Sequence, residues 1–202
     1  RYSIAGVARK WLLATSPISL RDNMLHRFLE WEAIERFEEF VRTGEPLSIH
    51  DEMPPGYWET YQRGMRSIAA LSAGEVARRV SVPRDARTMI DIGGSHGLYA
   101  AAICRRHPRL AATVLDLPAA VERAAPLLAQ EEMGDRVVHR AGNALTEDLG
   151  EEAWDLVFVS QLVHHFDDAT NRELARRIAR ALRPGGVFAI LEFVRPRSPE
   201  RA

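Results

Sequence analysis

The sequence predicts an α/β chain: a parallel, doubly wound sheet preceded by a helical region. Three observations carry that expectation. From Ala86 onward, short apolar runs alternate with helical patterns. The first of those runs, Thr88–Ile92, passes into a glycine-rich turn, Gly93-Gly94-Ser95-His96-Gly97, with a helical pattern behind it. Before that point, over residues 20–80, large side chains recur instead at three- and four-residue steps.

In the helical half, Met24, Phe28, Trp31, Ile34, Phe37 and Val41 have the spacing of one helix face, and core packing is the expected fate of that stripe. Thr43-Gly44-Glu45-Pro46 stops the helix with a glycine and a following proline. Met53-Pro54-Pro55-Gly56 is a second break, followed by a helix carrying Trp58, Tyr61, Met65, Ile68 and Leu71. These aromatic and Met side chains are core formers first; a few could also line an apolar pocket for a planar guest.

In the second half, Thr88–Ile92 is a strand and Leu98–Arg106 a helix. Residues 112–117 form the second strand, and Pro118 opens a helix, since proline suits a first turn. Residues 136–140 make a short strand and 156–160 a buried apolar one. Thr170-Asn171-Arg172-Glu173 reads as a capping box opening a helix with Leu174, Ile178, Ala181 and Leu182 on one face. Pro184-Gly185-Gly186 ends it, and residues 187–194 form the fifth strand. Strands separated by helices or long connections pair in parallel, and such sheets bind ligands at the carboxyl ends of their strands.

Composition narrows the functional classes. With 202 residues there is room for one core and an appended helical region. An apolar fraction of 46% and a charged fraction of 27% belong to a globular protein rather than a disordered one. Net charge is −1, and no dense Lys/Arg cluster interleaved with aromatics is present, which argues against a nucleic-acid partner. Arg176, Arg177 and Arg180 lie instead on a helical stretch. No apolar run of about 18 residues and no signal peptide is visible, so no membrane partner is expected. The single cysteine, Cys104, excludes a disulfide framework and a cysteine zinc site. A buried apolar thiol in a reducing, cytoplasmic setting is its simplest reading. The ends are abrupt, with Arg1 in place of a methionine and Ala202 soon after a strong strand. Further sequence on both sides is expected.

The candidate chemistry sits at the strand ends. Asp91 lies in the first strand, just ahead of Gly93 and Gly94. A carboxylate beside exposed turn N–H groups suits a ligand with a cationic amino-acid head and a nucleoside body. S-adenosylmethionine (SAM) has that form, whereas a dinucleotide pyrophosphate would be repelled. The bland alternative is a helix cap or turn acid. At the end of the second strand, Asp116 in Leu115-Asp116-Leu117-Pro118 can accept both hydroxyls of a ribose, each bond worth about 1.5–3 kcal/mol. Nicotinamide enzymes use the same device, so Asp116 indicates a ribose without naming the cofactor; it could also simply cap the helix at Pro118. After the third strand, Asn143 in Arg140-Ala141-Gly142-Asn143-Ala144 can both donate and accept, as an adenine edge requires, although Gly-Asn also describes an ordinary turn. After the fourth strand comes Ser160-Gln161-Leu162-Val163-His164-His165-Phe166-Asp167-Asp168. Its imidazoles could supply a general base, hold a metal or be polar loop residues. Adjacent side chains diverge and lack a known ligand spacing, so no metal site is expected. His96 is expected to be an exposed turn residue.

Taken in order, Asp-Ile-Gly-Gly-x-His-Gly, Leu-Asp-Leu-Pro, Ala-Gly-Asn, Leu-Val-His-His-Phe-Asp-Asp and Leu-Arg-Pro-Gly-Gly resemble the class I SAM-dependent methyltransferases. Asp116-Leu117-Pro118 and the preceding helical half look like the caffeate/hydroxyindole-type small-molecule O-methyltransferases, including bacterial polyketide-tailoring members. Residues 2–8 and Ser16-Pro17 resemble the end of that family's winged-helix dimerisation region. The resemblance implies a Rossmann-like core over residues 86–202, lacking its last strands, and a helical linker and substrate-pocket region over 19–85. Residues 1–18 would be the end of the dimerisation region, and a homodimer is the expected assembly. By position, Asp91, Gly93 and Gly94 would border the methionine part of SAM, and Asp116 with Leu117 would hold the ribose. Asn143 and Ala144 would lie beside the adenine, with Ser160 also in the cofactor site. His164 matches the family's catalytic base, and Glu192 an acid that orients it. The family's usual His-Asp-Trp reads His164-His165-Phe166 here, and a common Lys four residues before the base is Ser160.

The implied activity is methyl transfer from SAM to a hydroxyl of an aromatic or polyketide-like small molecule. Relatives that keep SAM but decarboxylate or hydroxylate, and catalytically silent binding modules, are the alternatives. A nicotinamide-dependent oxidoreductase is disfavoured, because Gly93-Gly94-x-x-Gly97 lacks the Gly-x-Gly-x-x-Gly spacing.

Overall fold

The computed structural model describes residues 2–44 and 56–194. Its helices are α1 (Gly6–Leu12), α2 (Arg21–Leu29), α3 (Trp31–Glu35), α4 (Phe37–Thr43) and α5 (Tyr57–Arg79), followed by α6 (Leu98–Arg106), α7 (Pro118–Ala129) and α8 (Asp168–Ala181). Five strands, β1 (Thr88–Ile92), β2 (Ala111–Asp116), β3 (Val137–Ala141), β4 (Trp154–Ser160) and β5 (Leu182–Leu191), form one parallel sheet in the order β3-β2-β1-β4-β5. The chain builds outward from β1 to β3, then returns to the other side of β1 with β4. The β1/β4 junction is therefore the switch point at which such sheets bind ligands.

Alternation along each strand divides the core into two layers. Met89, Val114, Leu156 and Phe158 pack with Val76 and Ala77 of α5, Ile103 and Cys104 of α6 and Leu128 of α7. Ile90, Ile92, Leu115, Val157 and Val159 pack on the opposite face with Leu174, Ile178 and Ala181 of α8. With both faces covered, the central strands are apolar at nearly every position, which is why they are readable as strands. Cys104 is buried as expected, its thiol pushed up to about 11 by burial above all.

Several boundaries differ from the sequence expectation. The α8 helix opens at Asp168, not at Thr170: the Asp167 side chain caps it by accepting the Thr170 N–H at 2.7 Å. An Asp placed three residues ahead of a free N–H outcompetes the Thr-x-x-Glu box for the same role. Strand β5 starts at Leu182 and includes Pro184-Gly185-Gly186 through a register irregularity against β4, then ends at Leu191, short of the predicted 194.

The larger correction concerns the first half. The stripe from Met24 to Val41 does not lie on one helix, because breaks at Glu30 and Arg36 divide it into α2, α3 and α4. Nor is it core. Phe28 is 72% exposed and Trp31 61%, and Met24, Ile34, Phe37 and Val41 are also exposed. Gly44 ends α4 in the left-handed conformation, whereas Glu45 and Pro46, residues 53–55 of the second break and the chain end after residue 194 lie outside the described residues.

Helix α5 forms as expected but buries its small residues more deeply than its large ones. Gly64, Ala69, Ala73 and Ala77 are buried, whereas Ile68 and Leu71 are exposed. A Cβ on Gly64 would come within 2.9 Å of His26 Cβ and 3.3 Å of the Asp22 carbonyl, so α2 crosses α5 at van der Waals distance there. A buried carboxylate fixes α5 to the core: Glu131 pairs with Arg66 of α5 and, at 2.8 Å, with Arg105 of α6.

Candidate functional site

The carboxyl edge of the sheet collects the predicted residues. Asp91 points to the face covered by α5, α6 and α7, and it is fully buried. Among the described residues, neither carboxylate oxygen has a hydrogen-bond partner. Burial first, then the nearby Asp116 charge, pushes its pKa up to about 8. The following turn is folded tightly around this acid. A Cβ on Gly94 would meet Asp91 Cγ at 2.5 Å and Val114 Cγ1 at 2.8 Å, so only glycine fits.

Ser95 lies at the centre of the turn with φ of 52°, a conformation uncommon for a residue with a side chain. Each of its polar groups is held from a different element. Its N–H donates to Asp116 Oδ2 at 2.7 Å, its carbonyl lies 2.9 Å from His139 Nε2 in β3, and its hydroxyl donates to Gln62 Oε1 in α5. The turn is thus preformed, at the cost of N–H groups that the sequence left free for a ligand. Gly93 N–H goes to the Leu115 carbonyl, Gly97 N–H to the Gly94 carbonyl, and Leu98 N–H to His96 Nδ1. His96 is therefore not the exposed residue expected from sequence. It is buried, and burial together with the Arg66 and His139 charges lowers its pKa to about 3.

Asp116, at the tip of β2, is half-buried and accepts the Ser95 and Leu117 N–H groups, each at 2.7 Å. Burial raises its pKa against those two hydrogen bonds. Each carboxylate oxygen keeps a further lone pair, so a diol can still be accepted. Leu117 is exposed and leads into α7. Tyr61 of α5 faces this acid: burial, then the Asp116 and Glu30 charges, pushes its hydroxyl up to about 12. Asn143 is exposed, and its side-chain oxygen accepts the Leu145 N–H at 2.8 Å, which leaves the amide NH2 for other contacts. The Ala144 carbonyl is held at 2.8 Å by Arg177 of α8, so a residue read as helix surface in fact braces this loop.

On the other side of β1, β4 ends at Ser160, half-buried and paired with Leu191. Gln161 follows with φ of 53°, and a single 3₁₀ turn, Val163–His165, presents the imidazoles. His164 Nδ1 lies 3.0 Å from Glu192 Oε2 and 3.1 Å from Oε1. Glu192 stands just past β5 rather than within it, and also accepts the Phe193 N–H at 3.0 Å. Burial works to raise its pKa, but the hydrogen bonds from His164 and Phe193 outweigh burial and hold the carboxyl below its usual range. A carboxylate can only accept, so the Nδ1 proton lies between the two groups and Nε2 is left as the basic nitrogen. The neighbouring His165 ring lies 4.1 Å away, centroid to centroid.

Two features bear on a cofactor. Among the described residues, Asp91 supplies a buried carboxyl without partners, and a ligand ammonium would favour its ionised, accepting form. Asp116 presents a carboxylate one strand away, which suits a ribose. The residues present thus fit a SAM-like molecule. Among the described residues, no group of three or more His, Cys, Asp or Glu side chains is arranged to hold a metal ion. Among them, too, no helix is long and apolar enough to cross a membrane.

Sequence reasoning missed Gln62, which is 1% exposed and contacts the turn directly, and also Arg177 and His139. The one available signal for Gln62 was a polar residue set among Trp58, Tyr61 and Met65.

Comparison with known proteins gives a consistent result. Residues 42–202 match the O-methyltransferase domain family. The chain is 30% identical over 141 residues to the 3-hydroxy-5-methyl-1-naphthoate 3-O-methyltransferase of Streptomyces sahachiroi, covering 70% of this chain and 39% of that protein. It is 30% identical over 172 residues to the mitomycin biosynthesis 6-O-methyltransferase of Streptomyces lavendulae, covering 80% and 48%. Among solved structures, an O-methyltransferase family protein from Burkholderia thailandensis superimposes with a TM-score of 0.81 at 27% identity, over 92% of this chain and 57% of that one. The chain spans about half the length or less of these curated relatives.

Proposed function

The chain belongs to the O-methyltransferase family, and from that premise we propose that it methylates a hydroxyl of an aromatic or polyketide-like small molecule, using SAM. The observation that carries this reading is the His164–Glu192 pair at 3.0 Å, at the same sheet edge as the unpartnered Asp91. Asp91 with Gly93 and Gly94 would take the amino-acid part of SAM, Asp116 and Leu117 the ribose, and Asn143 with Ala144 the adenine, with Ser160 bordering the site. When bound, SAM supplies a methyl group made electrophilic by its sulfonium.

The remaining chemistry falls to the protein. A phenol of pKa about 10 is scarcely ionised at pH 7, and supplying its anion costs about 4 kcal/mol. Nε2 of His164 takes that proton as the oxygen reacts. Glu192 keeps Nδ1–H in place and stabilises the imidazolium that forms. Holding the reacting groups in line is the larger contribution, about 7–11 kcal/mol in favourable cases. This division of labour has a consequence for mutants. His164→Ala is expected to lower turnover of a phenol at least about tenfold while leaving S-adenosylhomocysteine affinity nearly intact. Turnover would be followed with labelled SAM and a panel of hydroxylated aromatics. Unchanged turnover would reject His164 as the base.

Residues 19–85 are read as the substrate-pocket region, in which Trp58 and Tyr61 are in edge contact at 5.8 Å and the Asp116 charge reaches Tyr61. Residues 1–18 are read as the end of a dimerisation region. The exposed apolar residues of α2 to α4 support a homodimer, and the buried, unreactive Cys104 suits a cytoplasmic setting.

A further inference from the structure

We propose that Gln62 of α5 recognises the carboxylate of the ligand's amino-acid head, opposite Asp91, which takes its ammonium. This deepens the cofactor reading above and rests on it. A zwitterionic head needs an acceptor for one end and a donor for the other. Asp91 is the acceptor, with both oxygens buried and unpartnered. The donor is the harder half. The glycine turn is the expected source, yet the N–H groups of Gly93, Ser95 and Gly97, and of Leu98 behind them, are already committed within the protein, which leaves those of Gly94 and His96.

Gln62 adds a side-chain donor at the same turn. Its side chain is 1% exposed, and its Oε1 accepts the Ser95 hydroxyl, which aims the amide at the turn. The other end of the amide, Nε2, is buried with no partner among the described residues. A buried amide donor left unsatisfied is unfavourable, and a ligand carboxylate would relieve it with a charge-assisted bond. The unpartnered donor and the unpartnered acceptor both border the same five-residue turn. Gln62 bonds to Ser95, and Asp91 fills the space that a Cβ on Gly94 would need. The fixed hydrogen bond to Ser95 also means that little side-chain freedom remains to be lost on binding.

Calorimetry with three ligands tests the assignment. S-Adenosylhomocysteine carries the whole head, S-adenosyl-3-thiopropylamine keeps the ammonium without the carboxylate, and 5′-methylthioadenosine has neither. Gln62→Glu keeps an oxygen for Ser95 and replaces the donor with a second acceptor of the same shape. It is expected to weaken S-adenosylhomocysteine by at least about tenfold while leaving the amine ligand unchanged or tighter. Gln62→Leu is expected to weaken S-adenosylhomocysteine about tenfold and to spare both other ligands. A residue that only shaped the turn would affect all three ligands alike. Equal losses, a loss confined to the amine, or unchanged S-adenosylhomocysteine affinity would overturn the role of Gln62. If the unsubstituted chain bound none of the three, the cofactor reading would fall, and this inference with it.

Discussion

At the scale of single residues, Asp91 is the most consequential group. Burial and the Asp116 charge both oppose its ionisation, and its own charge in turn raises the Tyr99 hydroxyl and the Cys104 thiol of α6 in part. Folded, it holds its proton up to about pH 8; unfolded, an aspartate releases it near 3.9. The folded chain therefore binds one more proton between those limits, and stability falls as pH rises through that window. The slope is up to about 1.4 kcal/mol per pH unit for one proton, and the raised Asp116 adds in the same direction. Asp91→Asn keeps the shape and removes the titration. Urea unfolding from about pH 5 to 7.5 is expected to give a flatter stability profile for this variant than for the unsubstituted chain. Parallel profiles would mean that Asp91 is already ionised in the fold. The sequence marked Asp91 and Asp116 through their place before a glycine turn and at a strand tip. It could not mark Gln62, because hydrophobic spacing says which residues share a helix face and nothing about what that face meets.

At the scale of elements, legibility followed burial. The inner strands are covered on both faces, so their residues are apolar almost without interruption, and β1 and α6 match their expected limits. Ends proved harder, because they depend on single hydrogen bonds: Asp167 moved the start of α8. Helix α5 poses the sharper physical question, since its closest packing uses glycine. Alanine in a helix interior is favoured over glycine by about 0.8–1 kcal/mol. At Gly64 the new methyl would lie 2.9 Å from His26 Cβ, an atom that cannot swing aside, and overpacking of this kind costs about 1–3 kcal/mol. The clash outweighs the propensity, and Gly64→Ala is expected to destabilise. Gly74, on the same helix, has only Arg78 Nη1 nearby, at 3.9 Å. Gly74→Ala is then expected to stabilise by about 0.5–1 kcal/mol. Denaturant midpoints of the two variants should move in opposite directions. A shift of the same sign in both would show that α2 does not bear on α5 as described.

At the scale of the whole molecule, two regions that both carry regularly spaced large apolar side chains have different fates. The strands bury their side chains between helices, whereas Phe28, Trp31, Ile34, Phe37 and Val41 remain exposed along three short helices. Periodicity alone could not separate the two cases, because it records a face and not its cover. A run of exposed aromatic and branched side chains is unfavourable in water, and such surfaces mark association sites. The proposed homodimer would cover them. Sedimentation velocity at micromolar concentration should then find the chain self-associated. Phe28→Glu combined with Phe37→Glu should return it to monomer, since a buried charge without a partner opposes association strongly. Both side chains are exposed within one chain, so the thermal midpoint measured at low concentration should hardly move. Unchanged sedimentation in the double variant would separate the two ideas: the apolar run would still need a cover, but a second copy would not be that cover.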